Sequence, residues 1–146
     1  MALIAIPTDL LDTIKAHAEA TYPKECCGLL VGVTAPDGMV HVQRVVPSPN
    51  TTQKNQKDSF EVDAKVRFDV MRSHENTDQD IVGHYHSHPD HPAKPSKTDI
   101  DMAFEPEFVW MIVAVDQGLA TDVKAWRLDL ENRSSTPLTL LVSQAE

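Results

Sequence analysis

The sequence predicts an α/β fold in which helices flank a mixed β-sheet. Strand-like segments outnumber helical ones, and the two kinds are interspersed along the chain. The chain has 146 residues, of which 41% are hydrophobic and 24% are charged. That size and composition favour a folded chain with one core, so we expect a single domain over residues 1–146.

The N-terminal part contains a predicted helix followed by a β-hairpin. The helix is predicted to begin at Thr8 as its N-cap and to end near Tyr22-Pro23, because proline restricts the residue before it. The apolar run from Cys26 to Val33 predicts a buried strand. Asp37-Gly38 is a hairpin turn signal, which gives a partner strand over Met39 to Val46.

The second hairpin strand has a predicted face and a predicted end. Alternation along a strand gives Val40, Val42 and Arg44 one shared face. Proline lacks the N–H that a sheet ladder needs, so Pro47 and Pro49 are expected to stop the strand.

The segment from Asn50 to Ser59 is polar and its hydrophobic residues show no periodicity, which predicts a mobile loop. Phe60 to Val62 is predicted to be a short strand. Asp63 is expected to cap a second helix. The apolar residues of that helix are Val66, Val70 and Met71.

The second half of the chain is predicted to contain four more strands and one helix. The Gln117-Gly118 pair is a turn signal, and Trp110 and Trp126 lie in strand-like runs and are expected in the core. The predicted elements are a strand over Ile81 to His88, a proline-rich loop over Pro89 to Pro95, a helix over Ser96 to Phe104, and strands over Phe108 to Val115, Asp122 to Leu130 and Leu138 to Val142.

Composition limits the classes of function. A net charge of -9 disfavours nucleic acids and anionic membranes as partners, since phosphate binding depends on Lys and Arg. The apolar opening of the chain is short and stops at Pro7, which disfavours a signal peptide, and no run approaches the roughly 20 apolar residues of a membrane span. Cys26 and Cys27 are adjacent and give no disulfide framework. We expect a soluble cytoplasmic protein and leave a homodimer open.

The chemistry-bearing residues cluster between positions 86 and 99. His86 and His88 are two apart and share one face of a strand end, and Asp99 follows after Ser96. Two imidazoles and a carboxylate can hold zinc and leave its fourth position open. The histidines could also be ordinary surface residues, and Ser96-x-x-Asp99 could be only a capping box. A cap would start the helix at Ser96 and turn Asp99 back toward the strand end, so both interpretations can hold together.

These residues carry a resemblance to a known family. His86-x-His88-Pro89, six residues, Ser96-x-x-Asp99 resembles the full signature of the JAMM (MPN+) metalloproteases, and Pro23-Lys24-Glu25-Cys26-Cys27-Gly28 resembles that family's upstream Pro-x-Glu-x-Cys-Gly segment. The length is similar to that of the short prokaryotic members. The resemblance implies a mixed, mostly antiparallel, curved β-sheet flanked by helices, related to the cytidine deaminase core.

The resemblance also implies a role for each matching residue. His86, His88 and Asp99 would ligate Zn²⁺, with water as the fourth ligand. Glu25 would be the general base, and Ser96 would donate a hydrogen bond to the oxyanion. The alternative for Glu25 is a surface carboxylate beside Lys24.

Nearby residues receive weaker expectations. His84 shares the strand face of His86, and a packing or solvent role is favoured over a role in supporting the metal ligands or in binding the metal itself. His91 is expected to be exposed. Asp101 lies about 200° around the helix from Asp99 and cannot face the metal with it. Cys26 and Cys27 are expected to be small buried residues, with soft-metal binding as the alternative.

The implied activity is hydrolysis of a peptide or isopeptide bond after the C-terminal Gly-Gly of a ubiquitin-like or sulfur-carrier protein. An extended Gly-Gly tail suits a narrow site, and residues 50–59 could order over it. The alternative within the fold is a non-catalytic scaffold, whose members lack the ligand set. A nucleoside deaminase would need His-x-Glu and a later Pro-Cys-x-x-Cys, whereas His88 stands at the Glu position.

Overall fold

The computed structural model describes residues 3–144. Within them the chain forms seven strands and three helices. In chain order these are β1 (Leu3–Pro7), α1 (Thr8–Thr21), β2 (Cys27–Thr34), β3 (Val40–Ser48), α2 (Ala64–Ser73), β4 (Asp80–Pro89), α3 (Lys97–Asp101), β5 (Val109–Asp116), β6 (Leu119–Asp129) and β7 (Ser134–Ser143).

The strands form one closed barrel in the order β1-β3-β2-β4-β5-β6-β7. Four of the seven strand pairings are antiparallel, and the pairs β1–β3, β1–β7 and β4–β5 are parallel. The predicted mixed sheet with flanking helices is therefore correct, but the sheet is a closed barrel and not an open curved one. The opening segment, for which we predicted no strand, closes it, because β1 pairs with β3 on one side and β7 on the other. Met1 and Ala2 of that segment lie outside the described residues.

The second hairpin strand, β3, corrects two predictions. It continues through Pro47, which lies opposite Gly28. Proline is tolerated there because β1 pairs with β3 only at Val40 and His41, so the other side of β3 needs no N–H from Pro47. Arg44 is exposed and does not share the face of the buried valines, because the register shifts by one residue between β2 and β3 and reverses the alternation.

The helix ends differ in part from the predictions. Pro7 takes the N-cap position of α1, and the Thr8 hydroxyl instead donates to the Ser143 carbonyl at 2.7 Å. Asp63 caps α2 as predicted, accepting from the Lys65 N–H at 2.9 Å. Met71 of α2 is 54% exposed and is not a core residue.

Two short segments are also less regular than predicted. The segment over Phe60 to Val62 makes one isolated bridge, between Asn50 and Val62, and no strand. The third helix, α3, is five residues long and ends at Asp101, well before Phe104. No helix among residues 3–144 is long and apolar enough to cross a membrane.

The helices cover the two faces of the sheet. One face packs on α1 through Leu11, Ile14 and Ala18 and forms the main core. The other face packs on α2 through Val70 and on the region of α3 through Ile100. The parallel pair β4–β5 needs a crossover, which α3 and its loops supply. The first turn of α3 lies beside the carboxyl end of β4, where the Asp99 carboxylate comes within 3.1 Å of His88.

Candidate active site

The last residues of β4 direct their side chains alternately to opposite faces of the sheet. Tyr85 belongs to the main core, and its hydroxyl lies 2.8 Å from Nδ1 of His17 on α1. His84 and His86 lie on the opposite face, where their rings contact Phe60 and Trp110. The alternation used to pair the histidines is therefore confirmed.

His86, His88 and Asp99 form a buried cluster of metal-ligand type. The Nε2 atoms of the two histidines are 3.0 Å apart, and the Asp99 carboxylate lies 3.3 Å from Nε2 of His86 and 3.1 Å from Nε2 of His88. All three side chains are buried, and their ligand atoms lie within 4.8 Å of one another. These three residues could hold a metal ion.

The hydrogen bonds around the cluster fit a metal ion. Nδ1 of His88 lies 2.9 Å from the Pro92 carbonyl, which accepts a hydrogen bond from it, so Nε2 is the ring nitrogen that faces the cluster and could bind a metal ion. Burial alone would raise the pKa of Asp99, but His86 and His88 hold it well below its usual range. A carboxylate and two converging imidazole nitrogens, all buried, are a donor set that a divalent cation satisfies.

The helix cap and the cluster share one side chain. The Ser96 hydroxyl accepts from the Asp99 N–H at 3.0 Å, and the Asp99 carboxylate accepts from the Ser96 N–H at 2.9 Å. This capping box confirms the cap, and the same Asp99 carboxylate faces both histidines. The cap fixes the position of Asp99 in the first turn of α3.

Glu25 arrives beside the cluster from the start of β2. Its Oε1 atom is buried and has no hydrogen-bond partner among the described residues. Burial raises the pKa of the Glu25 carboxyl to about 8. The charge of His88 opposes this rise, and the charges of Asp99 and Asp58 add to it. Glu25 is therefore a buried group at the site and not a surface carboxylate beside Lys24.

The loop over residues 50–59 holds the Glu25 backbone. The Glu25 N–H donates to the Gln56 carbonyl at 2.7 Å, and the Asn50 amide donates to the Glu25 carbonyl at 3.2 Å. The Asn50 amide also donates to the Ser59 carbonyl at 3.0 Å. The sequence indicated a polar loop here but no role in positioning Glu25; its mobility stays a prediction.

Two aromatic residues support the site and were not predicted to do so. The Phe60 ring stacks on the His86 ring, with centroids 4.2 Å apart and planes 16° apart. The Trp126 indole N–H donates to the Ala93 carbonyl at 3.0 Å, which fastens the loop that carries Pro92. Phe60 and Trp126 are far in sequence from the residues they contact, His86 and Ala93, so no local sequence pattern could have identified them.

The weaker expectations are mostly confirmed. His84 packs against Trp110 and Phe60 and is not in the metal-type cluster, and burial lowers its pKa to about 3. Asp101 points elsewhere and pairs with Arg133 at 2.7 Å. His91 is exposed. Both cysteines are buried and free.

One cavity opens directly on the site. It is here called the polar cavity, has a volume of about 450 Å³ and is lined by Glu25, His88 and Ser96 together with Asp58, His91 and Lys94 among others. A second cavity, of about 170 Å³, is lined by neighbours of His84, including Phe60, Arg67, Glu105 and Trp110, and by no residue of the cluster.

Comparison with known proteins places this geometry in a family. The family described as prokaryotic homologs of the JAB domain matches residues 7–129, which include the cluster and Glu25. The chain belongs to this JAB family. The predicted JAMM (MPN+) resemblance is thus confirmed at the level of the family.

Two curated relatives and two solved structures are similar over most of the chain. The CysO-cysteine peptidase of Mycobacterium tuberculosis is 29% identical over 126 residues, 86% of this chain and 83% of that protein. The desampylase of Haloferax volcanii is 27% identical over 117 residues, 77% of this chain and 81% of that protein. Protein DSY2949 of Desulfitobacterium hafniense has a TM-score of 0.83 at 24% identity, and the superposition covers 98% of this chain and 94% of that one. The JAB1/MPN domain protein AF2198 of Archaeoglobus fulgidus has a TM-score of 0.58 at 18% identity over 94% of this chain and 98% of that one, and this likeness shows the JAB/MPN fold.

Proposed function

We propose that this protein is a zinc metallopeptidase that hydrolyses a peptide or isopeptide bond after the C-terminal Gly-Gly of a ubiquitin-like or sulfur-carrier protein. His86, His88 and Asp99 would hold the metal. When bound, zinc lowers the pKa of a water molecule in its open position toward about 7. The names of the relatives, a CysO-cysteine peptidase and a desampylase, support hydrolysis of a bond to a small carrier protein.

Glu25 performs the proton transfers in this proposal. Its carboxylate takes a proton from the attacking water and gives it to the leaving nitrogen as the carbonyl C–N bond breaks and the new C–O bond forms. Burial makes the Glu25 carboxylate a stronger proton acceptor than an exposed one, which suits a general base.

Ser96 stabilises the charge that develops on the carbonyl oxygen. Its oxygen already accepts from the Asp99 N–H, so the hydroxyl proton remains available to the substrate. A donor fixed in this way needs no reorganisation when the oxyanion forms.

One observation carries the proposal: Glu25 is a buried carboxylate whose Oε1 atom has no partner, beside three converging metal ligands. A buried acceptor left unpaired costs about 1–3 kcal/mol, so a purely structural carboxylate is not expected there. The scaffold alternative is disfavoured because such domains lack the ligand set that this chain retains. The deaminase alternative is disfavoured because His88 stands where that chemistry needs a glutamate.

The test uses each ubiquitin-fold carrier of the source genome that ends in Gly-Gly, extended by a short peptide. The zinc-loaded protein should cleave at least one of them after Gly-Gly, while EDTA and Glu25→Gln should each remove the activity. Glu75→Gln, an exposed carboxylate on the loop after α2, is the matched control and should cleave normally. Cleavage that survives both EDTA and Glu25→Gln would sink the mechanism, and the absence of bound zinc in metal analysis would favour the scaffold.

A further inference from the structure

The position of Glu25 sets where the leaving nitrogen of the substrate lies. In the proposed reaction Glu25 gives its proton to the leaving nitrogen, so that nitrogen must lie within hydrogen-bond reach of its carboxylate. Glu25 lines the polar cavity together with His88 and Ser96. The leaving nitrogen therefore meets Glu25 at the wall of the polar cavity, and the group attached to that nitrogen lies within reach of the other residues that line it.

The polar cavity is lined by side chains of both charges. Its buried end carries Glu25, and Asp58 is close enough for its charge to contribute to the raised pKa of the Glu25 carboxyl, after the larger effect of burial. Its exposed rim carries Lys94, for which the ion pairs among residues 3–144 provide no partner. An amine released beside the two carboxylates would become an ammonium in a favourable field, while an anionic group on the same molecule would be drawn toward Lys94.

Lys94 stands on a loop that is held in place. Pro92 and Pro95 flank it and fix their own φ angles, and the carbonyl of the preceding Ala93 accepts from the Trp126 indole at 3.0 Å. The loop backbone is therefore organised before a ligand arrives, although the lysine side chain itself is exposed.

We propose that the polar cavity takes a single amino acid as leaving group and that Lys94 recognises its free α-carboxylate. This inference rests on the proposed function and names its substrate class. A lysine of a conjugated protein, joined through its ε-amine, has its α-carboxylate consumed in a peptide bond and offers Lys94 no such partner. The cavity therefore favours a carrier bearing one α-linked amino acid over a carrier bearing a protein.

The test compares two forms of one substrate. The carrier that the protein cleaves is extended after Gly-Gly by a single alanine, either as the free acid or as the C-terminal amide. The wild-type protein should have a kcat/KM for the acid roughly two- to fivefold above that for the amide, as expected for one partly exposed charge pair. Lys94→Met should lower the kcat/KM of the acid to that of the amide and leave the amide unchanged, and Lys94→Arg should restore the preference.

Lys97→Met is the matched control, because Lys97 is an exposed lysine three residues away that does not line the cavity. Equal cleavage of acid and amide by the wild-type protein, or an equal effect of Lys94→Met and Lys97→Met, would overturn the inference while the proposed function stands. Faster cleavage of an ε-linked lysine conjugate than of the α-linked alanine would do the same. No cleavage of any substrate by the zinc-loaded protein would overturn both.

Discussion

Glu25→Gln should abolish activity and at the same time stabilise the metal-free protein. Burial raises the pKa of the Glu25 carboxyl from 4.5 to about 8, so between these values the folded state holds a proton that the unfolded state has released. The folded state then binds more protons, and stability falls as the pH rises from about 4.5 to about 8. Glutamine has a similar shape and no charge to desolvate, so the free energy of unfolding of the variant does not fall over this pH range.

The size of the effect follows from the same pKa. At about 1.4 kcal/mol for each tenfold change in proton affinity, a pKa of about 8 sets a ceiling of about 5 kcal/mol at a pH above 8. Water entry and side-chain movement relieve part of a buried charge, and we expect about 2–3 kcal/mol at pH 8. For a chain of this length that corresponds to a rise in Tm of about 5–10 °C.

The assay is thermal or urea unfolding of both proteins after EDTA treatment, at several values between pH 5 and pH 8.5. The free energy difference should be small at pH 5 and grow with pH. Glu75→Gln, which removes an exposed carboxylate, should stay within about 0.5 kcal/mol of the wild-type protein at every pH. A Glu25→Gln variant that is no more stable at pH 8, or whose advantage does not change with pH, would refute the argument from burial.

Three other substitutions test the support of the site and of the sheet. Ser96→Ala should lower kcat by about 10²–10³-fold, because the oxyanion donor is lost, and steady-state kinetics measure this effect. It should also lower the free energy of unfolding by about 1 kcal/mol, because the helix cap is lost, and urea unfolding measures that effect. Trp126→Phe removes the hydrogen bond to Ala93 and should weaken zinc binding by about three- to tenfold in a competition titration, and an unchanged zinc affinity would contradict the supporting role. Gly83→Ala would bring a Cβ atom to 2.1 Å from the Val109 carbonyl oxygen, so the paired strands must separate. It should cost at least about 2 kcal/mol in urea unfolding, and near-wild-type stability would show that the strands yield easily.

Local patterns gave most of the elements correctly. The Asp63 cap, the end of α1 before Tyr22-Pro23 and the strand over Ile81 to His88 depend on residues within a few positions of one another, and the structure confirms them. The errors depend on partners far along the chain. Pro47 stays in β3 because β1 does not pair with β3 at that position, so no N–H is needed there. The Thr8 hydroxyl donates to the Ser143 carbonyl because β7 lies next to β1.

Barrel closure was beyond local reasoning for a similar reason. Leu3–Pro7 is a five-residue apolar segment that could not be distinguished from a buried irregular stretch. It becomes a strand only because two edges of the sheet, β3 and β7, stand on either side of it.

The sequence by itself identified His86, His88 and Asp99 as candidate metal ligands. His86 and His88 share a face because side chains alternate along any strand, and the capping box at Ser96 and Asp99 sets the start of α3, so both features follow from neighbouring residues. The family resemblance added Glu25 as the candidate general base. Only the tertiary structure decided that its carboxylate is buried, unpaired and at the wall of the polar cavity. The reason is the register of β2 against β4, which sets Cys27 opposite His86 and is fixed by packing across the whole sheet.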